Sequence, residues 1–221
     1  MSTATAFARS RWLTPGLLLA LTAIPIAAGL ARLIWLATGE VRPDSARFAD
    51  MPLPLVLHIL SIIVFGILGA FQVTPALRRR WPRWHRIAGK IVVVAGTVAA
   101  FTGLWMTLNY AGGVNDGPAL FVLRLVFGSA MAACLLLGLD AIRRRKFIEH
   151  GAWMLRAYAI GMGAGTQVLT FIPWLLLIGP TDEDSRAVLM GAGWVINIVI
   201  AELIIRRPTH ASRPQTARNP F

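Results

Sequence analysis

The chain reads as an all-α integral membrane protein: a six-helix bundle, both termini cytoplasmic, with a duplicated helical hairpin inside it. Three observations predict this class. Of 221 residues 56% are hydrophobic and only 14% charged, with a mean hydropathy of +0.63, whereas a soluble domain carries about 25% charged residues. Six apolar runs reach the roughly 20 residues that cross a bilayer core of about 30 Å. The segments between them alternate in charge, as the positive-inside rule requires.

In chain order the predicted spans are Trp12–Ala37, Leu53–Leu77, Arg86–Tyr110, Ala119–Ile142, Ala152–Ile178 and Ala187–Ile205. The first has a basic flank like a signal peptide. It continues through Leu33, Ile34, Trp35 and Leu36, past the 7–15 residues of a signal h-region, so it reads as an uncleaved helix. Arg9 and Arg11 precede it, and a mixed loop with Glu40, Asp44, Asp50, Arg42 and Arg47 follows it. Arg78, Arg79, Arg80, Arg83, Arg86 and Lys90 surround the second turn, and Asp116 is the one charge of the third. Arg143, Arg144, Arg145 and Lys146 make the fourth; Asp182, Glu183 and Asp184 with Arg186 make the fifth. Arg206, Arg207, Arg213 and Arg218 close the chain. Basic turns stay in the cytoplasm, which predicts a bacterial cytoplasmic membrane protein with both termini inside. Residues 1–207 read as a single transmembrane domain, and the polar, proline-containing tail 208–221 as a disordered extension that includes His210.

The net charge of +12 is thereby explained as topology, with no nucleic-acid partner, since a nucleic-acid binder gathers its charge on one polar face. The lone Cys134 excludes an internal disulfide framework. No glycine-rich phosphate loop, nucleophile–base pair or HExxH motif is present. The partner that composition demands is the lipid bilayer.

Two segments repeat the pattern RRR-x4-H: Arg78-Arg79-Arg80 leading to His85, and Arg143-Arg144-Arg145 leading to His150, 65 positions apart. Each is a basic turn joining two spans, so spans two and three form one hairpin and four and five its copy, in parallel orientation. At 100° per residue, His85 shares a stripe with Gly89, Gly96 and Gly103, and His150 shares one with Met154, Ala157, Gly161 and Ala164. Such small-residue faces suit close helix packing. They also leave room for a flat macrocycle.

Depth selects which histidines can cooperate. His85 and His150 enter their helices from the same side, a candidate axial pair for one haem b iron between spans three and five. Arg83, Arg86 and Arg156 lie nearby with the fork geometry that carboxylates such as propionates accept. An interfacial role, structural or toward lipid headgroups, fits the same pair. His58 is roughly 30 Å from His85 along its helix and belongs to a separate outer site with Arg124, at matching depth. Ionisable residues inside a membrane usually face the bundle interior, so this pair suits an anionic group, a quinone carbonyl or a structural hydrogen bond. The function classes left open are a b-type redox protein with a quinone or redox partner, a small-molecule permease or sensor with an outer pocket at His58 and Arg124, and a non-catalytic scaffold. The absence of a mid-membrane acid counts against a proton-coupled permease.

His58 followed by a helix ending in Phe71-Gln72, the turn with His85-Arg86-x-x-Gly89, and His150-x-x-Trp153-Met154-x-Arg156-x-Tyr158 resemble the prokaryotic multi-pass membrane proteins of the domain-of-unknown-function 2306 family. The resemblance covers spans two to six and implies no established activity. In helix count and histidine placement the layout is also similar to b-type cytochromes. Members of that class with two haems need two histidine pairs, and this chain offers at most one.

Overall fold

A computed structural model of the protein describes residues 3–39 and 46–207 and, for residues 3–11, the backbone alone. Glu40, Arg42 and Asp44 of the first loop, the tail with His210, and the side chains of Arg9 and Arg11 lie outside the described residues. Eight α-helices and one 3-10 turn, with no strand, make up the described chain: α1 (Thr3–Thr38), the turn Ala46–Phe48, α2 (Leu53–Gln72), α3 (Pro75–Arg80), α4 (Pro82–Asn109), α5 (Pro118–Arg143), α6 (Phe147–Gly161), α7 (Gly163–Leu177) and α8 (Glu183–Ile205). Five are long and apolar enough to cross a membrane, and the α6–α7 pair, bent by 41°, supplies a sixth span. Leu17, Ile34, Ile87, Val94, Leu108, Leu176 and Leu203 are each more than half exposed along the helix exteriors. Water would not tolerate so continuous an apolar surface. The protein is membrane-embedded.

Proline sets the helix starts. Pro75, Pro82 and Pro118 open α3, α4 and α5, and Pro54 lies in the first turn of α2, where the missing N–H costs nothing. Pro75 also stops the second span before Leu77: Thr74 ahead of it is extended, with ψ 106°, as a residue preceding proline tends to be. α8 begins instead on a capping box, with Asp182 Oδ1 accepting from Ser185 N at 2.8 Å and Ser185 Oγ accepting from Asp182 N at 3.0 Å.

The two arginine turns differ in shape but converge at the histidines. The first copy winds its arginines into α3. The second ends α5 in a Schellman turn, in which Arg145 takes φ 60° and Lys146 N donates to Ala141 O at 2.9 Å. In both, the histidine N–H closes the first helical turn, His85 onto Trp81 O and His150 onto Lys146 O. α2 packs most extensively on α4 and α5 on α6, which pairs the helices as the repeat predicts.

The hairpins lock around Phe65, which is 2% exposed. A Cβ at Gly96 would sit 2.5 Å from one edge of this ring, and a Cβ at Gly161 would sit 2.6 Å from the other. Tyr158 fills the space over Gly69 and its hydroxyl donates to Gly66 O at 2.9 Å. The glycines of these faces are thus sockets for side chains of this same chain, Phe65 above all.

The fifth span breaks at Met162, eleven residues before Pro173. Asn197 of α8 bridges the break: its Nδ2 donates to Ala159 O at 3.0 Å and its Oδ1 accepts from the Thr166 hydroxyl at 2.7 Å. Glycine permits the close approaches around it. A Cβ at Gly165 would lie 2.5 Å from the Leu21 carbonyl oxygen, so α1 meets α7 backbone to backbone.

Candidate functional site

A cavity of about 830 Å³ opens at the end of the bundle remote from the arginine turns. Residues of α1, α2, α4, α5, α6, α7 and α8 line it, with Gly161 and Met162 at the break among them. Most of the wall is apolar, with Ile59, Ile63, Leu104, Phe127, Met131 and Trp194 on it. The volume falls in the range of small-molecule sites, roughly 300–1,000 Å³. His58 and Arg124, paired by depth in the sequence, both line this cavity.

Each makes structural hydrogen bonds to other groups, His58 to α4 and Arg124 to Asp116. His58 Nδ1 lies 2.9 Å from Ala99 O and 3.2 Å from Thr102 Oγ1. A carbonyl only accepts, so Nδ1 carries the proton. Nε2 is then the lone-pair nitrogen and the polar atom this ring offers the cavity. Gly103 makes room for the ring, since a Cβ there would sit 3.2 Å from His58 Cε1.

Arg124 reaches toward the mouth and forks onto Asp116, with Nη1 to Oδ2 at 2.8 Å and Nη2 to Oδ1 at 3.1 Å. Arg186 Nε donates to Oδ1 at 3.0 Å, Gly113 N to Oδ2 at 3.0 Å, and Arg47 Nη1 approaches Oδ2 at 3.5 Å. The Asp116 side chain is only 4% exposed. Burial pushes its carboxyl up, but the hydrogen bonds from Arg124, Gly113 and Arg186 outweigh that and hold it well below the usual carboxylate range. Arg47 also donates to Ala111 O at 2.9 Å and stacks over Phe48 at 4.6 Å; burial draws its guanidinium below the usual arginine value. A second, polar cavity of about 350 Å³ lies among Arg32, Arg47, Arg124 and Arg186.

Sequence reasoning missed Arg47, Arg186 and Asp116 as site residues. The signal was present as a violation: Arg47 and Arg186 are basic residues in the acidic loops. Arg186 further sits in the first turn of α8, where the helix dipole disfavours a cation. A carboxylate drawing three guanidiniums together accounts for all of them.

At the opposite end His85 and His150 are close enough to interact electrostatically. His150 Nδ1 donates to Gly138 O at 2.8 Å, and His85 Nδ1 is buried without a partner. The space a haem would occupy is filled by the chain itself. Phe65 lies on Gly96, Gln72 on Gly89 and Met154 against Gly138. Arg156, expected to hold a propionate, is committed to Glu202 at 2.5 and 3.2 Å and stacks over Trp153. Arg83 and Arg86 are exposed. Glu202 takes only a 3.4 Å contact from Arg206, the partner its i, i+4 spacing suggests. The residues present therefore do not fit a haem, and among the described residues no three His, Cys, Asp or Glu side chains group as a metal site.

A bent-span helical bundle with an amphipathic pocket at one end defines a multi-pass membrane protein. The chain belongs to the family of predicted membrane proteins DUF2306, whose profile matches residues 55–205. That match runs from α2 to the end of α8 and leaves α1 outside. No curated protein and no solved structure matches the chain, and the likeness to b-type cytochromes finds no support.

Proposed function

We propose that the protein binds a small molecule in the cavity at His58 and Arg124, as a membrane sensor or permease. The cavity itself carries this reading: about 830 Å³ of mostly apolar space, with one imidazole on its wall and a guanidinium cluster at its mouth. The membrane on this reading is a bacterial inner membrane; the positive-inside rule supports arginine turns and both termini on the cytoplasmic side, with the cavity mouth outside. On this reading residues up to 207 form the one membrane domain and the tail is a cytoplasmic extension.

Native mass spectrometry of the protein released from mild detergent tests the proposal. A small molecule should be retained by wild type and lost when Thr107, on the cavity wall, is replaced in Thr107→Trp. Equal retention by both proteins would refute a ligand in this cavity. Uptake of the identified molecule into proteoliposomes separates permease from sensor.

A further inference from the structure

We propose that the ligand is a single-chain amphiphile with an anionic head, carboxylate or phosphate, its head on the arginine cluster and its chain running down the cavity. This rests on the pocket reading above and names the ligand class. Charge is the first argument. Among the described residues Arg47, Arg124 and Arg186 all pair with Asp116, so there three guanidiniums share one carboxylate and two positive charges exceed it. Glu183 lies at the rim against Gly117 and forms none of these ion pairs. Three buried or half-buried guanidiniums around one carboxylate repel one another, and a second anion relieves that repulsion.

Incomplete hydrogen bonding is the second argument. Among the described residues Arg47 Nε is buried with no partner, and Arg47 Nη1 divides itself between Ala111 O at 2.9 Å and Asp116 at 3.5 Å. A buried guanidinium donor left unpaired is costly. A head-group oxygen that draws the Arg47 side chain toward the open face of the cluster completes the fork in the way carboxylates and phosphates do. The Arg47, Arg124 and Arg186 side chains keep 26%, 27% and 32% exposure, so the cluster is open to an incoming anion.

Shape is the third. The cavity follows the chain from Gly117, the residue before α5, to Met131, fourteen residue steps or roughly 21 Å at about 1.5 Å per step. That depth spans most of a bilayer core of about 30 Å. Below the cluster the wall offers few free polar atoms besides His58: Thr22 and Thr107 donate to Leu19 O and Gly103 O of their own helices, and Gln167 Nε2 is bonded to Met190 O at 3.1 Å. A polyhydroxylated solute finds too few partners there, while an alkyl chain gains from leaving water. A cation is repelled at the mouth.

The test is native mass spectrometry of the full chain in neutral detergent, titrated with palmitate, hexadecyl phosphate, methyl palmitate and hexadecyltrimethylammonium. Palmitate and hexadecyl phosphate should bind one per chain, at least about tenfold tighter than the ester or the ammonium, as loss of one charge-assisted contact implies. Arg47→Gln should weaken both anions about tenfold and leave methyl palmitate unchanged. Asp116→Asn removes the tethered carboxylate and should tighten the anions; a merely misfolded variant would weaken them. Thr107→Trp reads the pocket itself and should weaken every ligand. Methyl palmitate binding as tightly as palmitate, with both lost in Thr107→Trp, overturns the anionic head and leaves the pocket reading intact. Inorganic phosphate displacing palmitate as well as hexadecyl phosphate does overturns the chain. Binding of none of the four, or binding indifferent to Thr107→Trp, overturns both readings.

Discussion

Replacing Gly96 by alanine should destabilise the bundle through a single trapped ring. The new Cβ would lie 2.5 Å from Phe65 Cε2 and 2.7 Å from Cδ2, against about 3.5–4.0 Å for an ordinary carbon contact, so the ring must move by about 1 Å. It has nowhere to go, because a Cβ at Gly161 already measures only 2.6 Å from Cε1 on its opposite edge. Overpacking of this kind costs roughly 1–3 kcal/mol, partly offset by the roughly 0.8–1.0 kcal/mol that alanine gains over glycine within a helix. The net expectation for Gly96→Ala is a loss of about 0–2 kcal/mol, and about 1–3 kcal/mol relative to an alanine that meets no neighbour. Gly151→Ala is the internal control, since nothing lies within 4 Å of its added Cβ, and it should be neutral or slightly stabilising. Thermal unfolding in detergent, followed by near-ultraviolet circular dichroism, reads both. In the Phe65→Leu background the Gly96→Ala penalty should shrink, a coupling that a double-mutant cycle measures. Equal stability of Gly96→Ala and Gly151→Ala, or strict additivity with Phe65→Leu, would refute the wedge and reopen the glycine face to other occupants.

Three further outcomes follow from the same geometry. Asn197→Leu should cost about 1–2 kcal/mol, near the upper range for interhelical hydrogen bonds in membranes, with faster amide exchange confined to residues 159–166; unchanged exchange there would remove Asn197 as the brace of the bend. Asp116→Ala should destabilise by an amount near the lower end of roughly 3–5 kcal/mol, because the arginines it holds are partly exposed. The Asp116 carboxyl sits below its ordinary range when folded, so its contribution is complete above the unfolded value of about 3.9 and falls away only as pH drops below that. The stability difference between wild type and Asp116→Ala should therefore be flat from about pH 5 to 8, and a slope in that window would contradict the assignment. Protein purified from haem-replete membranes should show no Soret band; a band lost in both His85→Ala and His150→Ala would overturn the packing account of those faces.

Spans, their number and their hairpin pairing were legible because each depends on local quantities: run length, proline position and loop charge. The Met162 break was not, since it has no proline and depends on Asn197 arriving from a helix 35 residues further on. Depth alone paired His58 and Arg124, which line the same cavity. Their partners were not legible, because Ala99, Thr102 and Asp116 are brought in by the register of α4 and by a loop whose closure no periodicity records. The glycine stripes are the instructive case. Spacing fits either close helix packing or a flat occupant, and only tertiary packing shows Phe65 on Gly96 and Gly161, Gln72 on Gly89 and His58 on Gly103.

The break and the cavity are one feature. Gly161 seats Phe65 on one side and lines the cavity on the other, while Met162 and Gly165 add to the same wall. Gly165 also fixes α1 against α7 through the Leu21 carbonyl, and α1, with only 6% of its apolar window buried, is the least anchored wall. A ligand shifts a conformational equilibrium only by its differential affinity for the two states. Filling this cavity adds contacts to α1 and to the bend together, and little to the tightly interlocked α2–α4 and α5–α6 hairpins. The proposed sensor or permease would therefore respond by moving α1 and α7 against a fixed core, with Asn197 as the brace across the joint.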